Sequence, residues 1–144
     1  MIARLAAQPK FCPQFHLSLQ SGCDNTLKAM NRHYNCAEYA EIVTNLRNAF
    51  ENSSMTTDVM VGFAGETEDD FNASLNFVKS IGFAKVHIFP YSRRKGTVAD
   101  KAPNQIDPQV KEQRAKIMEQ VCDETRREFL KDQVGLCESV LVER

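Results

Sequence analysis

Cysteine is scarce and scattered in this sequence, which excludes both a self-contained metal cluster and a disulfide framework. The 144 residues contain five cysteines, Cys12, Cys23, Cys36, Cys122 and Cys137. No two of them form a Cys-x-x-Cys pair, so no metal cluster is expected from them. An odd number of widely spaced cysteines is typical of reduced thiols in a cytosol. We therefore interpret all five as packing or surface residues.

The sequence also lacks a long hydrophobic run and an excess of charge of either sign. No apolar stretch approaches the roughly 20 residues that cross a bilayer, so we expect a cytoplasmic protein that does not contact a membrane. The formal net charge of -1 excludes a general attraction for nucleic acid. The one compact basic candidate is the segment Arg93-Arg94-Lys95. With 42% hydrophobic and 26% charged residues, the composition is typical of one globular domain.

What the sequence does contain is a repeated alternation of apolar strands and amphipathic helices. Strands are predicted at about 14–19, 56–63 and 83–89, and helices at about 24–32, 35–50, 67–82 and 107–133. The run Val59-Met60-Val61 is continuous, which is typical of a parallel strand covered on both sides. The pattern predicts an α/β protein of three βα units with mostly parallel strands and a long C-terminal helix. A site would lie at the carboxyl ends of the strands.

Polar residues that could bind one ligand lie after the first predicted strand and at the start of the second. Gln20 can donate and accept hydrogen bonds, Arg32 offers a planar fork suited to a carboxylate, and Asp58 can accept from ribose hydroxyls. Together they suit an aminoacyl nucleoside. The alternative is that Arg32 is a solvated charge after a helix and that Asp58 is a turn residue.

A glycine-bearing loop, Gly62-Phe63-Ala64-Gly65-Glu66, follows the second strand. Because glycine has no side chain, the backbone there can approach a flat ligand closely. The helix that follows presents free N–H groups. The alternative is a tight turn between strand and helix that binds nothing.

The third strand and the loop after it contain further candidates. His87 could be a ligand or a base, although a satisfied core or layer-filling histidine is the more frequent case, and His16 has the same ambiguity. The long loop from Pro90 to Pro103 begins with the segment 91–97, which mixes an aromatic ring with cations and hydroxyls. That mixture is used to stack a base and hold a phosphate. An ordinary solvated surface loop can have the same composition.

Three segments in this order, HLSLQSGCDNTLKAMNRHY, TDVMVGFAGETEDDF and HIFPYSRRKGT, resemble the radical S-adenosylmethionine methylthiotransferases over nearly the entire chain. Within that family, the first and last segments most resemble the branch that methylthiolates threonylcarbamoyladenosine next to the tRNA anticodon. The isopentenyladenosine and ribosomal-protein branches are the near relatives. The resemblance implies that residues 1–134 are the C-terminal half of a radical S-adenosylmethionine (β/α) barrel. Residues 135–144 would begin a truncated RNA-binding TRAM domain.

The resemblance also implies roles for individual residues. The contacts that it implies with S-adenosylmethionine are Gln20, Arg32, Asp58, Gly62, Gly65 and Glu66. The contacts that it implies with the substrate, the anticodon loop of a tRNA, are Tyr91, Arg93 and Arg94. It implies no catalytic residue and no metal ligand within this chain.

The chain departs from that family in its cysteines. Family members hold one iron-sulfur cluster with three cysteines of an N-terminal domain and a second with a Cys-x-x-x-Cys-x-x-Cys loop, and neither pattern occurs here. Because the cluster supplies the electron that cleaves the sulfonium, we expect an inactive fragment of an enzyme that holds two 4Fe-4S clusters, none of them bound by this chain. The alternative is a cluster-free module that binds tRNA or a protein. Half a barrel also predicts self-association through exposed strand edges.

Overall fold

The computed structural model describes residues 2–8, 10–137 and 142, and its elements follow the predicted βα order. It confirms the α/β class, with one open sheet of three parallel strands in the order β1-β2-β3. The predicted start of a TRAM domain falls largely on residues 138–141, 143 and 144, outside the described residues. The elements are α1 (Ile2–Ala6), β1 (Gln14–His16), α2 (Asp24–Ala29), α3 (Cys36–Ala49), β2 (Ser54–Val61), α4 (Glu68–Ile81), β3 (Lys85–Pro90), a 3-10 turn (Ala99–Lys101) and α5 (Pro108–Asp132).

Local capping chemistry sets the ends of the long helices where the sequence predicts them. Asn35 caps α3 in a reciprocal capping box with Glu38, and Thr67 caps α4 in the same way with Asp70. Gly82 ends α4 in the left-handed conformation with φ of 65°. At the start of α5, the Asp107 side chain accepts from the Gln109 N–H at 2.7 Å, and Pro108 occupies the first turn.

The first strand is shorter than predicted because a side chain replaces part of its ladder. Regular pairing of β1 with β2 ends at His16. The Leu19 N–H donates to the Thr57 hydroxyl at 2.9 Å rather than to a backbone carbonyl. Pairing with β2 then resumes for one residue at Gln20, which bridges Val59. Gln20 is thereby tied to the sheet although it lies beyond the strand.

The prediction that β2 is covered on both sides is wrong. Its residues alternate strictly between half-exposed and buried along its length. The buried positions join residues of α3, α4 and α5 in one core, whose fully buried members include Leu19, Val43, Met55, Val59, Phe71, Val78, Phe83 and Met118. Alternation of this kind is typical of a sheet packed on one face only.

The opposite face of the sheet, which we term the open face, is formed by the alternate residues of the three strands. Its members are Gln14, His16, Ser54, Thr56, Asp58, Met60, Lys85, His87 and Phe89. His87 is not a core residue, because its side chain is exposed on this face, with the ring centroid 6.3 Å from that of His16. The alternative that it fills a layer of a barrel stays a prediction. Within the described part of the chain, no helix is long and apolar enough to cross a membrane.

Candidate functional site

The residue at the carboxyl end of the first strand is held in a strained backbone conformation. Gln20 has φ of 67°, a left-handed value uncommon outside glycine. The Ser21 N–H donates to the Leu19 carbonyl at 2.9 Å across it, which makes a γ-turn of the rare, strained type. Hydrogen bonds of 2.8 Å, from the Gln20 N–H to Asp58 and from the Met60 N–H to Gln20, enforce this geometry. Strain held in place by its surroundings is concentrated at functional sites.

Arg32 reaches the same region because α2 ends earlier than predicted. The helix ends at Ala29, and Asn31 then adopts a left-handed φ of 57°. The Asn31 N–H donates to the Lys28 carbonyl at 3.0 Å and the Arg32 N–H to the Leu27 carbonyl at 2.9 Å. This pair of bonds is a Schellman motif, with asparagine in the position that glycine usually takes. The motif turns the chain, and Arg32 lines a cavity instead of the outer surface of a helix.

A cavity of about 790 Å³, which we call the first cavity, lies between these elements. Gln20 and Arg32 both line it, so the structure brings together the amide and the guanidinium that the sequence assigned to one ligand. The volume falls within the roughly 300–1,000 Å³ typical of small-molecule sites. The other lining residues are Lys28, Ala29, Met30, Asn31, Met60, Phe63, Ala64, Val98, Ala99, Ala102 and Asn104.

Asp58 lies beside the first cavity rather than in it. It lines a second cavity of about 520 Å³. The carboxylate of Asp58 accepts a hydrogen bond from the Ser18 hydroxyl at 3.3 Å and lies 3.3 Å from His16 Nε2. The residues that line both cavities are Gln20, Met60 and Ala99. The Asp58 carboxylate therefore lies in the second cavity, which adjoins the first cavity that Gln20 and Arg32 share.

The glycine loop after β2 is in close contact with two other segments of the protein. Gly62 and Gly65 have left-handed φ values of 70° and 85°. A Cβ at Gly62 would collide with the Lys111 side chain, and a Cβ at Gly65 would collide with the Asn104 side chain. The space that a side chain would need at Gly62 and Gly65 is thus occupied by the side chains of Lys111 and Asn104. Contact of this loop with a cofactor stays a prediction.

The carboxylate of Glu66 is buried inside the same loop. Its Oε1 accepts from the Gly62 N–H at 2.9 Å and from Arg114 Nη1 at 2.8 Å. The two side chains of this pair are 2% and 7% exposed. Burial raises the pKa of Glu66, while the Gly62 N–H and the Arg114 guanidinium oppose that rise. Glu66 therefore shapes the loop from within, and α5 fastens the loop through Arg114.

A second buried cation of α5 holds the loop after β3. Lys111 donates from Nζ to the Tyr91 carbonyl at 3.0 Å, and Nζ lies 5.0 Å from the centroid of the Tyr91 ring. The same ring packs edge-on against Phe63 at 5.0 Å. The Tyr91 hydroxyl is buried without a hydrogen-bond partner among the described residues. One turn of α5 thus positions both loops of the site.

The two adjacent arginines of the loop have different environments. Arg93 donates from Nε to the Asp100 carboxylate at 2.9 Å and from Nη2 to the Asp100 carbonyl at 2.8 Å. It therefore closes the loop on itself. The side chain of Arg94 makes no hydrogen bond or ion pair within the described part of the chain, and Arg94 lines the second cavity. Contact of Tyr91, Arg93 and Arg94 with a substrate stays a prediction.

Three residues that build the site were not predicted from the sequence: Asn104, Lys111 and Arg114. The two cations lie on the same side of α5 as Ala115 and Met118, which are buried. Charged residues three apart beside an apolar stripe could have indicated buried cations, because residues at this spacing share a helix face. Nothing in the sequence indicates that the carbonyl of Asn104 accepts from the Gly65 N–H at 2.9 Å.

The residues present do not fit an iron-sulfur cluster. Among the described residues, no group of three or more His, Cys, Asp or Glu side chains is placed to hold a metal ion. Burial raises the pKa of the Cys36 and Cys122 thiols to about 12. Both thiols are therefore protonated near neutral pH.

Comparison with known proteins finds one matching family and a set of similar proteins that share one name. The family described as the radical SAM superfamily matches residues 1–78, which include β1, β2 and the glycine loop. A tRNA-2-methylthio-N(6)-dimethylallyladenosine synthase of Pelotomaculum thermopropionicum is 36% identical over 143 residues, covering 99% of this chain and 32% of the relative. Proteins of the same name from Corynebacterium glutamicum (39% over 140 residues, 94% and 27%) and Acidothermus cellulolyticus (39% over 142 residues, 99% and 29%) are also similar. The chain spans about a third of the length of these relatives.

Proposed function

Because the chain belongs to the radical SAM superfamily, we propose that residues 1–134 form the C-terminal half of the barrel of a tRNA methylthiotransferase and that residues 135–144 begin a TRAM domain. The observation that carries the proposal is the shared cavity of Gln20 and Arg32 at the carboxyl ends of parallel strands. Sites of α/β barrels lie at that end.

The proposed substrate of the parent enzyme is an isopentenylated adenosine next to the tRNA anticodon. The relatives reported above are named for N(6)-dimethylallyladenosine. The preference for the threonylcarbamoyladenosine branch, which was drawn from the first and last sequence segments, is not supported by these relatives. A tRNA substrate also implies that the parent acts in the cytoplasm.

The first cavity is the proposed site of S-adenosylmethionine. The guanidinium of Arg32 would pair with the methionyl carboxylate in a bidentate, charge-assisted contact, and the Gln20 amide would bind the same end of the ligand. Asp58, in the adjoining compartment, would accept from the ribose hydroxyls. The backbone from Gly62 through Gly65 to Glu66 would lie along the cofactor, with Arg114 and Lys111 keeping it in place. When bound beside a reduced cluster, S-adenosylmethionine supplies radical chemistry.

The clusters of the parent would be held by residues other than those of this chain. The cysteines described here do not converge. We therefore propose two 4Fe-4S clusters in the parent, none on this segment, and no methylthiotransferase activity for the 144 residues alone.

Self-association of the isolated chain is a further part of the proposal. In the described sheet, β1 and β3 are the two edge strands, and each presents backbone groups that can pair with another chain. Sedimentation over a range of concentrations should show a dimer or larger species. A monomer at the highest concentration would contradict this part.

The test of cofactor binding is an NMR titration of the labelled 144-residue chain with S-adenosylhomocysteine, which shares the carboxylate and the nucleoside. Amide shifts should concentrate at Gln20, Arg32 and Met60. Replacing Arg32 by Ala should weaken binding about tenfold or more, since a hydrogen bond to a charged group is worth about 1.5–3 kcal/mol. Arg126 is an exposed arginine on α5, so Arg126→Ala is the matched control and should bind as the unsubstituted 144-residue chain does. Equal affinities for the two variants would refute the role of Arg32.

A further inference from the structure

A third cavity, of about 170 Å³, lies between α2, the glycine loop and the segment before α5, and a buried hydroxyl in its wall is unpaired. Thr26 on α2 lines this cavity and is 4% exposed. Its Oγ1 has no hydrogen-bond partner among the described residues. An unpaired buried hydroxyl is costly, so Thr26 indicates that a polar ligand enters this cavity.

Two asparagine side chains in the same wall also have spare oxygen acceptors. Asn25 Nδ2 donates to the Asp70 carboxylate at 3.0 Å, which fixes the orientation of the Asn25 amide and leaves its Oδ1 unused. The Asn104 side chain makes no hydrogen bond within the described part of the chain, although the backbone carbonyl of Asn104 accepts from the Gly65 N–H. Thr26, Asn25 and Asn104 therefore contribute three neutral oxygens with unused lone pairs.

The wall of the third cavity also contains one carboxylate whose charge no cation balances within the described residues. The other lining carboxylate, Glu66, is paired with Arg114 at 2.8 Å. The oxygens of Asp70 accept hydrogen bonds from Asn25 and Thr67 instead. These hydrogen bonds hold the pKa of Asp70 well below its usual range, so this carboxylate is charged at neutral pH. Asp70 thus supplies negative charge, whereas the unused oxygens belong to neutral groups.

From these observations we propose that the third cavity binds one alkali-metal cation, K⁺ or Na⁺. The Thr26 hydroxyl and the amide oxygens of Asn25 and Asn104 are its protein ligands, water completes the coordination shell, and Asp70 balances the charge. Hard cations take oxygen ligands, and neutral carbonyl oxygens are sufficient for K⁺. Sites for Ca²⁺ and Mg²⁺ use carboxylates as direct ligands, and both oxygens of Asp70 already accept hydrogen bonds.

The proposed cation joins segments that also form the wall of the first cavity. Ala29, Phe63, Ala64 and Asn104 line both cavities. Because the ligands come from α2 and from the segment before α5, the bound cation holds these segments together beside the glycine loop. The cation site requires neither a cofactor nor RNA, so it can be tested whether or not the proposed function is correct.

The first experiment is thermal unfolding of the 144-residue chain in chloride solutions of equal ionic strength, with K⁺, Na⁺ or tetramethylammonium as the cation. Tetramethylammonium has the same charge but cannot be coordinated by oxygens. At a concentration about ten times its dissociation constant, a bound cation lowers the unfolding constant about tenfold. The midpoint of unfolding should therefore lie about 3–6 °C higher than in tetramethylammonium. The larger rise identifies the preferred ion.

Two threonine variants separate this site from general effects of salt. Thr26→Val removes the ligand hydroxyl and keeps the side-chain shape, so most of the cation-dependent rise should disappear. In tetramethylammonium its midpoint should equal or exceed that of the unsubstituted chain, because an unpaired hydroxyl is removed. Thr125 is the matched control: it is also 4% exposed on a helix, but its Oγ1 donates to the Cys122 carbonyl at 3.0 Å. Thr125→Val should keep the full rise.

The second experiment locates the cation in the unsubstituted chain and so does not depend on the folding of a variant. When K⁺ or Na⁺ replaces tetramethylammonium, amide NMR shifts should concentrate at Thr26, Gly65 and Asn104 and leave Thr125 unchanged. Three results would overturn the proposal: equal midpoints in the three chlorides, an undiminished rise in Thr26→Val, or shifts spread over the exposed carboxylates. Each would mean that the third cavity binds only water.

Discussion

The two faces of the sheet are built from alternate residues of the same strands, yet their environments differ throughout. On the covered face, Met55, Val59 and Val61 are at most 1% exposed and pack under α3, α4 and α5. On the open face, Asp58 and Met60 are half-exposed, and His87 and Phe89 are exposed. Stability is therefore concentrated on one face, while the groups with unused binding capacity lie on the other or at its carboxyl edge.

Two contacts of a carboxylate with a nitrogen-bearing side chain show the same contrast and give the largest expected effect. The side chains of Arg114 and Glu66 are 2.8 Å apart and almost fully buried. Those of His16 and Asp58 are 3.3 Å apart on the open face, and they are 41% and 28% exposed. Arg114→Met should cost about 3–5 kcal/mol of the free energy of unfolding, because it leaves Glu66 buried and unpaired. His16→Gln should cost less than about 1 kcal/mol. Urea denaturation followed by circular dichroism measures both, and similar losses would remove the contrast.

Two methionines of β2 provide a matched pair of substitutions on opposite faces. Met55 is 1% exposed and Met60 is half-exposed. Met55→Ala should destabilise the fold by about 2–5 kcal/mol, since it leaves a cavity in the core. Met60→Ala should cost about 1 kcal/mol or less. If Met60→Ala were as destabilising as Met55→Ala in the same denaturation experiment, the open face would be covered in solution.

A polar contact on the covered side should make stability depend on pH. The Asp70 carboxylate accepts from Asn25 at 3.0 Å and from the Thr67 hydroxyl at 2.7 Å, and these hydrogen bonds hold its pKa well below the usual range. A lowered folded-state pKa stabilises the fold above the unfolded value of about 3.9, and the contribution is lost as pH falls below it. Asp70→Asn should therefore flatten the fall of the melting temperature between about pH 5 and pH 2.

The control for that prediction is Asp69→Asn, an exposed neighbour in the same helical turn. Its melting temperature should follow the pH dependence of the unsubstituted chain. If the melting temperature of the Asp70→Asn variant fell with pH as steeply as that of the unsubstituted chain, these contacts would not hold the Asp70 carboxylate in its charged form.

The last and smallest expected difference is between the reactivities of buried and exposed cysteines. Cys122 is packed on the covered side, and burial raises its pKa to about 12, whereas Cys12 and Cys137 are exposed. Only thiolates react readily with iodoacetamide. Mass spectrometry after brief labelling near pH 8 should find Cys12 and Cys137 modified and Cys122 unmodified. Labelling of Cys122 before unfolding would contradict the packing of α5.

Much of the fold was predictable because the decisive interactions are local. The capping boxes of Asn35 with Glu38 and of Thr67 with Asp70 join residues three apart, so the letters alone indicate where α3 and α4 begin. The early end of α2 was not predictable in this way. There an asparagine performs the role usually taken by glycine, and Asn31 could equally have continued the helix.

The candidate site was predictable only in part. Gln20 and Arg32 could be paired because both follow the first strand, and a site of parallel βα units is expected at the carboxyl ends of its strands. Arg114 and Glu66 lie 48 residues apart, and Lys111 and Tyr91 lie 20 apart. No periodicity or motif connects partners at such separations. Glu66 and Tyr91 were therefore predicted as ligand contacts, whereas their hydrogen bonds with Arg114 and Lys111 were not predicted.

By itself, the sequence determined the order of strands and helices, their capped ends, and the edge of the sheet at which polar residues collect. These features follow from backbone preferences and hydrogen bonds that span a few residues. Only the tertiary structure decided which face of the sheet is covered, that Gln20 and Arg32 share a cavity while Asp58 borders the next one, and that Arg94 rather than Arg93 is unpaired. Those outcomes depend on which distant segments exclude water from a given side chain, and burial of that kind is a property of the packed chain.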